Sequence, residues 1–159
     1  MAQANASAEQ GIRCLLIPLT DFNLLLPGSV IAEVAGYRDP TPLPDVDPES
    51  GVMGRVTWRG VGLPLVSVDR LVGFSDGDPG ARARLIVLKG LAGYSEMPFY
   101  AVLAHRIPRQ LYVTPGMLES LEDESLDGAP GDVVLAGGEP AVILDVERIE
   151  RRVHDALYT

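Results

Sequence analysis

Apolar positions along the chain recur in short bursts. Runs rich in Val, Ile and Leu occupy residues 12–19, 22–26, 29–36, 52–58, 61–68, 83–89, 98–105, 108–113, 132–136 and 140–144, and Gly or Pro punctuates the gaps. Runs of this length and composition predict strands, and ten of them predict an all-β protein folded as barrels or a sandwich. Two hairpin turns are expected, at Asp21-Phe22-Asn23 and at Ala136-Gly137-Gly138-Glu139, since paired glycines tolerate positive φ. A third hairpin, over 52–68, carries Trp58-Arg59-Gly60 at its tip and so presents a guanidinium held by backbone on both sides.

Helical spacing occurs in two places. Thr114-Pro115 followed by Met117, Leu118 and Leu121 reads as a cap, a proline at the first helical position and a short apolar face. Asp145 caps a longer helix in which Val146, Ile149, Val153 and Leu157 form one stripe. There, Glu147 with Arg151 and Glu150 with His154 fall at i,i+4 on the face expected to be wet. This helix is expected to close a second barrel. Residues 1–10 are small and polar and read as a disordered tail. The Gly-rich stretch 73–80 reads as an internal boundary, dividing the domain at 11–159 into one subdomain of about 22–80 and another of 11–21 with 81–159.

Composition then removes several function classes. An apolar fraction of 47% with 22% charged residues is that of a folded globular chain, and 159 residues suffice for one core or two small ones. The formal charge of −9, with Lys89 the single lysine and arginines scattered, opposes phosphate binding, so no nucleic-acid partner is expected. No apolar run approaches the roughly 20 residues of a membrane span, and the first five residues lack a signal peptide's basic start, so a cytoplasmic protein without membrane insertion is expected. Cys14, the single cysteine, lies in Cys-Leu-Leu-Ile and reads as a small core residue.

Candidate chemistry is sparse. His105 and His154 stand at a strand end and on a helix face without partners at metal spacing, and the acidic stretch from Glu119 to Asp132 lacks the alternating oxygen ligands of a calcium loop. Gly60-Val61-Gly62-Leu63-Pro64 has a proline where a nucleotide loop opens its helix. No metal, no cofactor and no enzymatic activity are expected, which leaves surface binding. Arg59 suits a partner's carboxylates or the bracing of a neighbouring loop. Trp58 shares a face with Val56 and suits either a core position or an interface anchor. Alternation along 31–34 puts Ile31 and Glu33 on one face, where Ile31 suits either core or a groove with a polar edge.

The block Gly54-Arg55-Val56-Thr57-Trp58-Arg59-Gly60, with Pro64-Leu65-Val66 after it, resembles the Gly-x-x-Asn-Leu-Arg-Gly and Pro-Val block of CheW-like domains. Ile31 to Tyr37, Phe99 to Ala104 and Ala141 to Asp145 resemble three further strands of that family in the same order, so the resemblance spans roughly residues 12–153. It implies two small five-stranded SH3/OB-like barrels with a short helix and a C-terminal helix. It further implies a non-enzymatic chemosensory adaptor that couples chemoreceptors to a CheA-type histidine kinase. Carried over residue by residue, Ile31, Glu33 and Arg59 would lie near the groove that grips a receptor's cytoplasmic tip. Val56, Trp58 and Gly60 are the candidates for a kinase-facing or other interface. The phrases Leu24 to Val34, Trp58-Arg59-Gly60 and Pro98 to Leu103 look most like the accessory CheW-like proteins of chemosensory systems governing type IV pili and twitching motility. A small-ligand-binding β-barrel protein or an enzyme on the same fold is the alternative, and a concentration-dependent thermal shift with one metabolite or metal would favour it.

Overall fold

The computed structural model describes residues 11–73, 77–120, 131–136 and 138–158. The expected tail and most of the acidic stretch after Glu119 lie outside these residues.

All ten expected strands form: β1 Ile12–Pro18, β2 Asn23–Pro27, β3 Ile31–Gly36, β4 Val52–Trp58, β5 Val61–Val66, β6 Arg84–Lys89, β7 Phe99–Ala104, β8 Arg109–Val113, β10 Gly131–Ala136 and β11 Glu139–Leu144. An eleventh, β9 (Leu118–Ser120), stands where a helix was expected. Pro115–Met117 makes only one 3-10 turn, closed by the Met117 N–H to the Thr114 carbonyl, before the chain extends and pairs with β10. Helix α1 (Val68–Leu71) is a single turn capped by the Ser67 hydroxyl, which accepts from the Arg70 N–H. Helix α2 (Val146–Tyr158) is the C-terminal helix, and the Asp145 side chain accepts from the Arg148 N–H at its start.

The strands divide into a six-stranded sheet, β8-β1-β2-β11-β10-β9, and a five-stranded sheet, β3-β6-β7-β5-β4. This corrects the expected subdomain boundaries. The Gly-rich stretch after Val72 is a connection within the five-stranded sheet, because β6 pairs antiparallel with β3 and β7 pairs parallel with β5. β2 stays with β1 through the Asp21 turn and pairs parallel with β11. The chain crosses between sheets near residues 28–30 and 105–108, where no glycine run marks the step.

Interior strands such as β6 and β7 are buried on both faces, which is why they read as nearly continuous apolar runs, while the edge strands β3, β4 and β8 are only partly covered. Leu15, Ile17, Leu24 and Leu26 of one sheet meet Ile86, Leu88, Tyr100 and Val102 of the other in a central core. The alternate residues of the five-stranded sheet, including Val56, Leu63, Leu65, Leu85, Val87 and Leu103, fill a second cluster on its outer face, and Cys14, Leu16, Leu25, Val113 and Val134 fill a third on the outer face of the other. Burial pushes the Cys14 thiol above its ordinary pKa.

Helix α2 does more than close one barrel. Ile149 and Val153 enter the central core between the sheets. Glu150, expected on the wet face, is fully buried: one carboxyl oxygen accepts from the Leu91 and Ala92 N–H groups at 2.7 and 3.0 Å, and the other from the Tyr100 hydroxyl at 3.4 Å. Burial and the neighbouring Glu150 push the Tyr100 phenol far above its ordinary pKa. His154 pairs instead with Glu96, 3.2 Å away, and stacks on Tyr94 with ring centroids 3.9 Å apart. The helix thereby ties the β6–β7 connection of the five-stranded sheet to β11, the strand of the six-stranded sheet that leads into it.

Candidate functional site: a side-chain clasp and a groove on two faces of one strand

The β4–β5 hairpin pairs Trp58 directly with Val61, so Arg59 and Gly60 are its whole loop. Both have positive φ, 49° and 76°, which a tight right-twisting hairpin requires of its two central residues. Gly60 is there for its backbone, since nothing lies within 4 Å of where a Cβ would stand. Arg59 is the one non-glycine residue with positive φ among the described residues, at a cost of about 1 kcal/mol.

What holds Arg59 there is a set of side-chain contacts. Its Nη2 donates to Glu33 Oε1 at 2.7 Å, and its guanidinium carbon lies 4.9 Å from the centroid of the Trp58 ring. Trp58 Nε1 donates to the other carboxylate oxygen, Glu33 Oε2, at 3.1 Å, and the indole leans on Phe99 with centroids 5.1 Å apart. The hydrogen bonds from Arg59 and then Trp58 hold the Glu33 carboxyl below its usual pKa. Arg59 remains 68% exposed and Glu33 36%.

Glu33 lies on β3 and Trp58 ends β4, the two edge strands of the five-stranded sheet. Their contact ties the two edges of the sheet together beside a shared cluster that takes in Ala32, Ala35, Tyr37, Met53, Trp58 and Phe99. No hydrogen-bonded ladder joins β3 to β4 among the described residues. The Glu33–Trp58–Arg59 clasp links these two edge strands instead.

The expectation that Ile31 and Glu33 share a face is overturned by a β-bulge. Ile31 pairs with Leu88 and Glu33 with Val87, so adjacent partners on β6 face residues two apart on β3. The extra residue turns Ile31 with Leu88 toward the central core and Glu33 with Val87 toward the outer cluster. On its own side Ile31 joins Val34 in lining a groove of about 530 Å³, together with Ile12, Arg13, Leu15 and Pro27.

The structure therefore brings Glu33, Trp58, Arg59 and Gly60 together, and places Ile31 around the edge of the same strand. Val56 is only 4% exposed, and its side chain packs into the cluster with Leu63 and Leu65. Arg13 and Val34 had no signal beyond belonging to strands. Thr20, Asp69 and His105 form a further polar cluster in which only Asp69 is buried: His105 Nε2 lies 3.2 Å from Asp69 Oδ2 and 3.3 Å from Thr20 Oγ1. Acid and hydroxyl address the same ring nitrogen, so the trio is not arranged as a proton relay, which needs opposite nitrogens. It pins the β1–β2 turn to α1 and to the end of β7. No cluster of three metal-ligating side chains occurs among the described residues, and no described helix is long and apolar enough to cross a membrane.

Comparison with known proteins agrees with this architecture. No curated protein matches the sequence. Among solved structures the fold is similar to that of the scaffolding protein TtCheW from Thermoanaerobacter tengcongensis, with a TM-score of 0.72 at 13% identity over 88% of each chain. The CheW-like domain family matches residues 13–153, nearly the whole molecule, and the chain belongs to that family.

Proposed function

We propose that the protein is a non-catalytic scaffold of chemotaxis signalling that couples chemoreceptors to a CheA-type histidine kinase. The observation that carries this reading is the arrangement on β3, whose two faces hold an apolar groove and a preformed polar clasp in fixed relation. A bridging protein needs separate surfaces whose geometry does not drift, and a bulged edge strand anchored by an ion pair supplies them. A receptor tip seated against Ile31 in the groove reaches Glu33 and Arg59 by wrapping the edge of the strand. The hairpin bearing Trp58 and Gly60 then faces the kinase regulatory domain. The resemblance of Leu24 to Val34, Trp58-Arg59-Gly60 and Pro98 to Leu103 to accessory proteins of pilus systems supports a place in twitching motility.

Titration of the purified chain against receptor cytoplasmic fragments and against the kinase regulatory domain from the same cell tests this. Arg59→Ala should weaken the receptor arm and leave thermal unfolding nearly unchanged, because exposed ion pairs contribute little to stability. Absence of binding to either partner at tens of micromolar, where contacts of about −6 kcal/mol are still visible, would refute the adaptor role.

A further inference from the structure

We propose that the groove selects its occupant by charge as well as by apolarity, accepting an amphipathic receptor helix that carries a carboxylate beside its apolar stripe and pairs it with Arg13. The inference rests on the receptor-coupling reading above and adds to it the charge class of the partner segment and the residue that reads it.

The groove is lined by Ile12 and Leu15 of β1, Ile31 and Val34 of β3, and Pro27. Ile12 and Val34 leave 56% and 43% of their surfaces exposed along the groove, an apolar contact area open to a partner. The charge pattern is the reverse of the rest of the molecule. In a chain with 22 acidic and 13 basic residues, Arg13 is the only charged side chain lining the groove. Some other arginines are engaged, Arg59 by Glu33, Arg109 by Glu139 and Arg152 by the Leu71 and Glu49 carbonyls, so what distinguishes Arg13 is its place in the groove. No hydrogen bond or ion pair engages the Arg13 guanidinium among the described residues. Its position follows from register, because Arg13 shares the β1 face of Leu15 and Ile17 and stands opposite Tyr112 where the central core gives out. A lone guanidinium over an apolar channel, with Gln110 beside it, fits a carboxylate flanking an apolar helical stripe and disfavours a basic one.

The test measures association and dissociation of the full chain with each receptor cytoplasmic fragment of the same cell, over a range of salt. Arg13→Glu, an exposed substitution, should weaken binding about tenfold, chiefly through slower association, and flatten the salt dependence, as loss of a rim charge does. Reversing one acidic residue of the fragment to Lys should restore binding to the Arg13→Glu chain. Val34→Asp should abolish binding in either background. If Val34→Asp abolishes binding but Arg13→Glu changes neither affinity nor salt slope, charge selection is overturned while receptor coupling stands. Binding indifferent to both substitutions puts the receptor elsewhere and overturns the inference. So does concentration-dependent dimerisation of the chain that Val34→Asp prevents, which would assign the groove to a second copy. If no fragment binds the unmodified chain, the coupling reading fails and the inference falls with it.

Discussion

Replacing Glu150 by alanine removes the single acceptor for three donors inside the protein. The Tyr100 hydroxyl is fully enclosed, and leaving it without a partner costs about 1–3 kcal/mol. The Leu91 and Ala92 N–H groups belong to exposed residues that water can reach, so each loses nearer 0.5–1.5 kcal/mol. With the small void left by the shortened side chain, the total is about 3–5 kcal/mol. For a domain of this size that lowers Tm by roughly 10 °C. Glu150→Gln separates the polar loss from the packing loss. Its carbonyl oxygen still accepts from both N–H groups, while its amide faces a Tyr100 hydroxyl that can turn to accept, so the cost should fall to about 1 kcal/mol. Urea unfolding of the three proteins, at unchanged m, reads the difference, and amide exchange at Leu91 and Ala92 locates it. If the alanine and glutamine variants lie within about 1 kcal/mol of each other, the three bonds do not anchor α2 as argued.

Gly60→Ala should destabilise the chain by about 1 kcal/mol through backbone strain alone, since the site has room for a methyl group; an unchanged denaturation midpoint would mean that the loop relaxes to another turn. The clasp should open in acid. Arg59 and Trp58 favour the ionised Glu33, so its folded pKa lies below the unfolded one; the stabilisation is complete above the ordinary carboxylate value of about 4.3 and is lost as pH falls through the lower folded value. Emission of Trp58, the only tryptophan, should follow that loss, and an identical profile in Glu33→Gln would show that another group governs it.

Strand positions were legible because two buried faces leave an unbroken apolar signature, as in Leu85 to Leu88, bounded by glycine and proline. The loop of the β4–β5 hairpin was legible for the same reason, since Arg59-Gly60 interrupts two such runs. Partition into sheets was not. Parallel pairings of β2 with β11 and of β5 with β7 join segments far apart in the chain and leave no local trace. The site was half visible. Arg59 and Trp58 followed from the hairpin, but alternation assigns faces only where every residue advances the ladder by one step, and Ala32 does not. Glu150 was misplaced because helical spacing marks polar positions without revealing that a neighbouring loop will bring unsatisfied N–H groups to one of them.

The bulge at Ala32 has a consequence for how such a chain can change. On a regular ladder Ile31 and Glu33, two residues apart, would share a face; because Ala32 is absorbed in the bulge they take adjacent partners, Leu88 and Val87, and opposite faces. Deleting Ala32 would make them neighbours with the same two partners, leaving the isoleucine at the groove and the carboxylate at the clasp. A deletion between Glu33 and Gly36 has no bulge to absorb it and would turn the residues beyond it to the wrong face. Length along this strand is therefore free to change at one position and fixed at the rest.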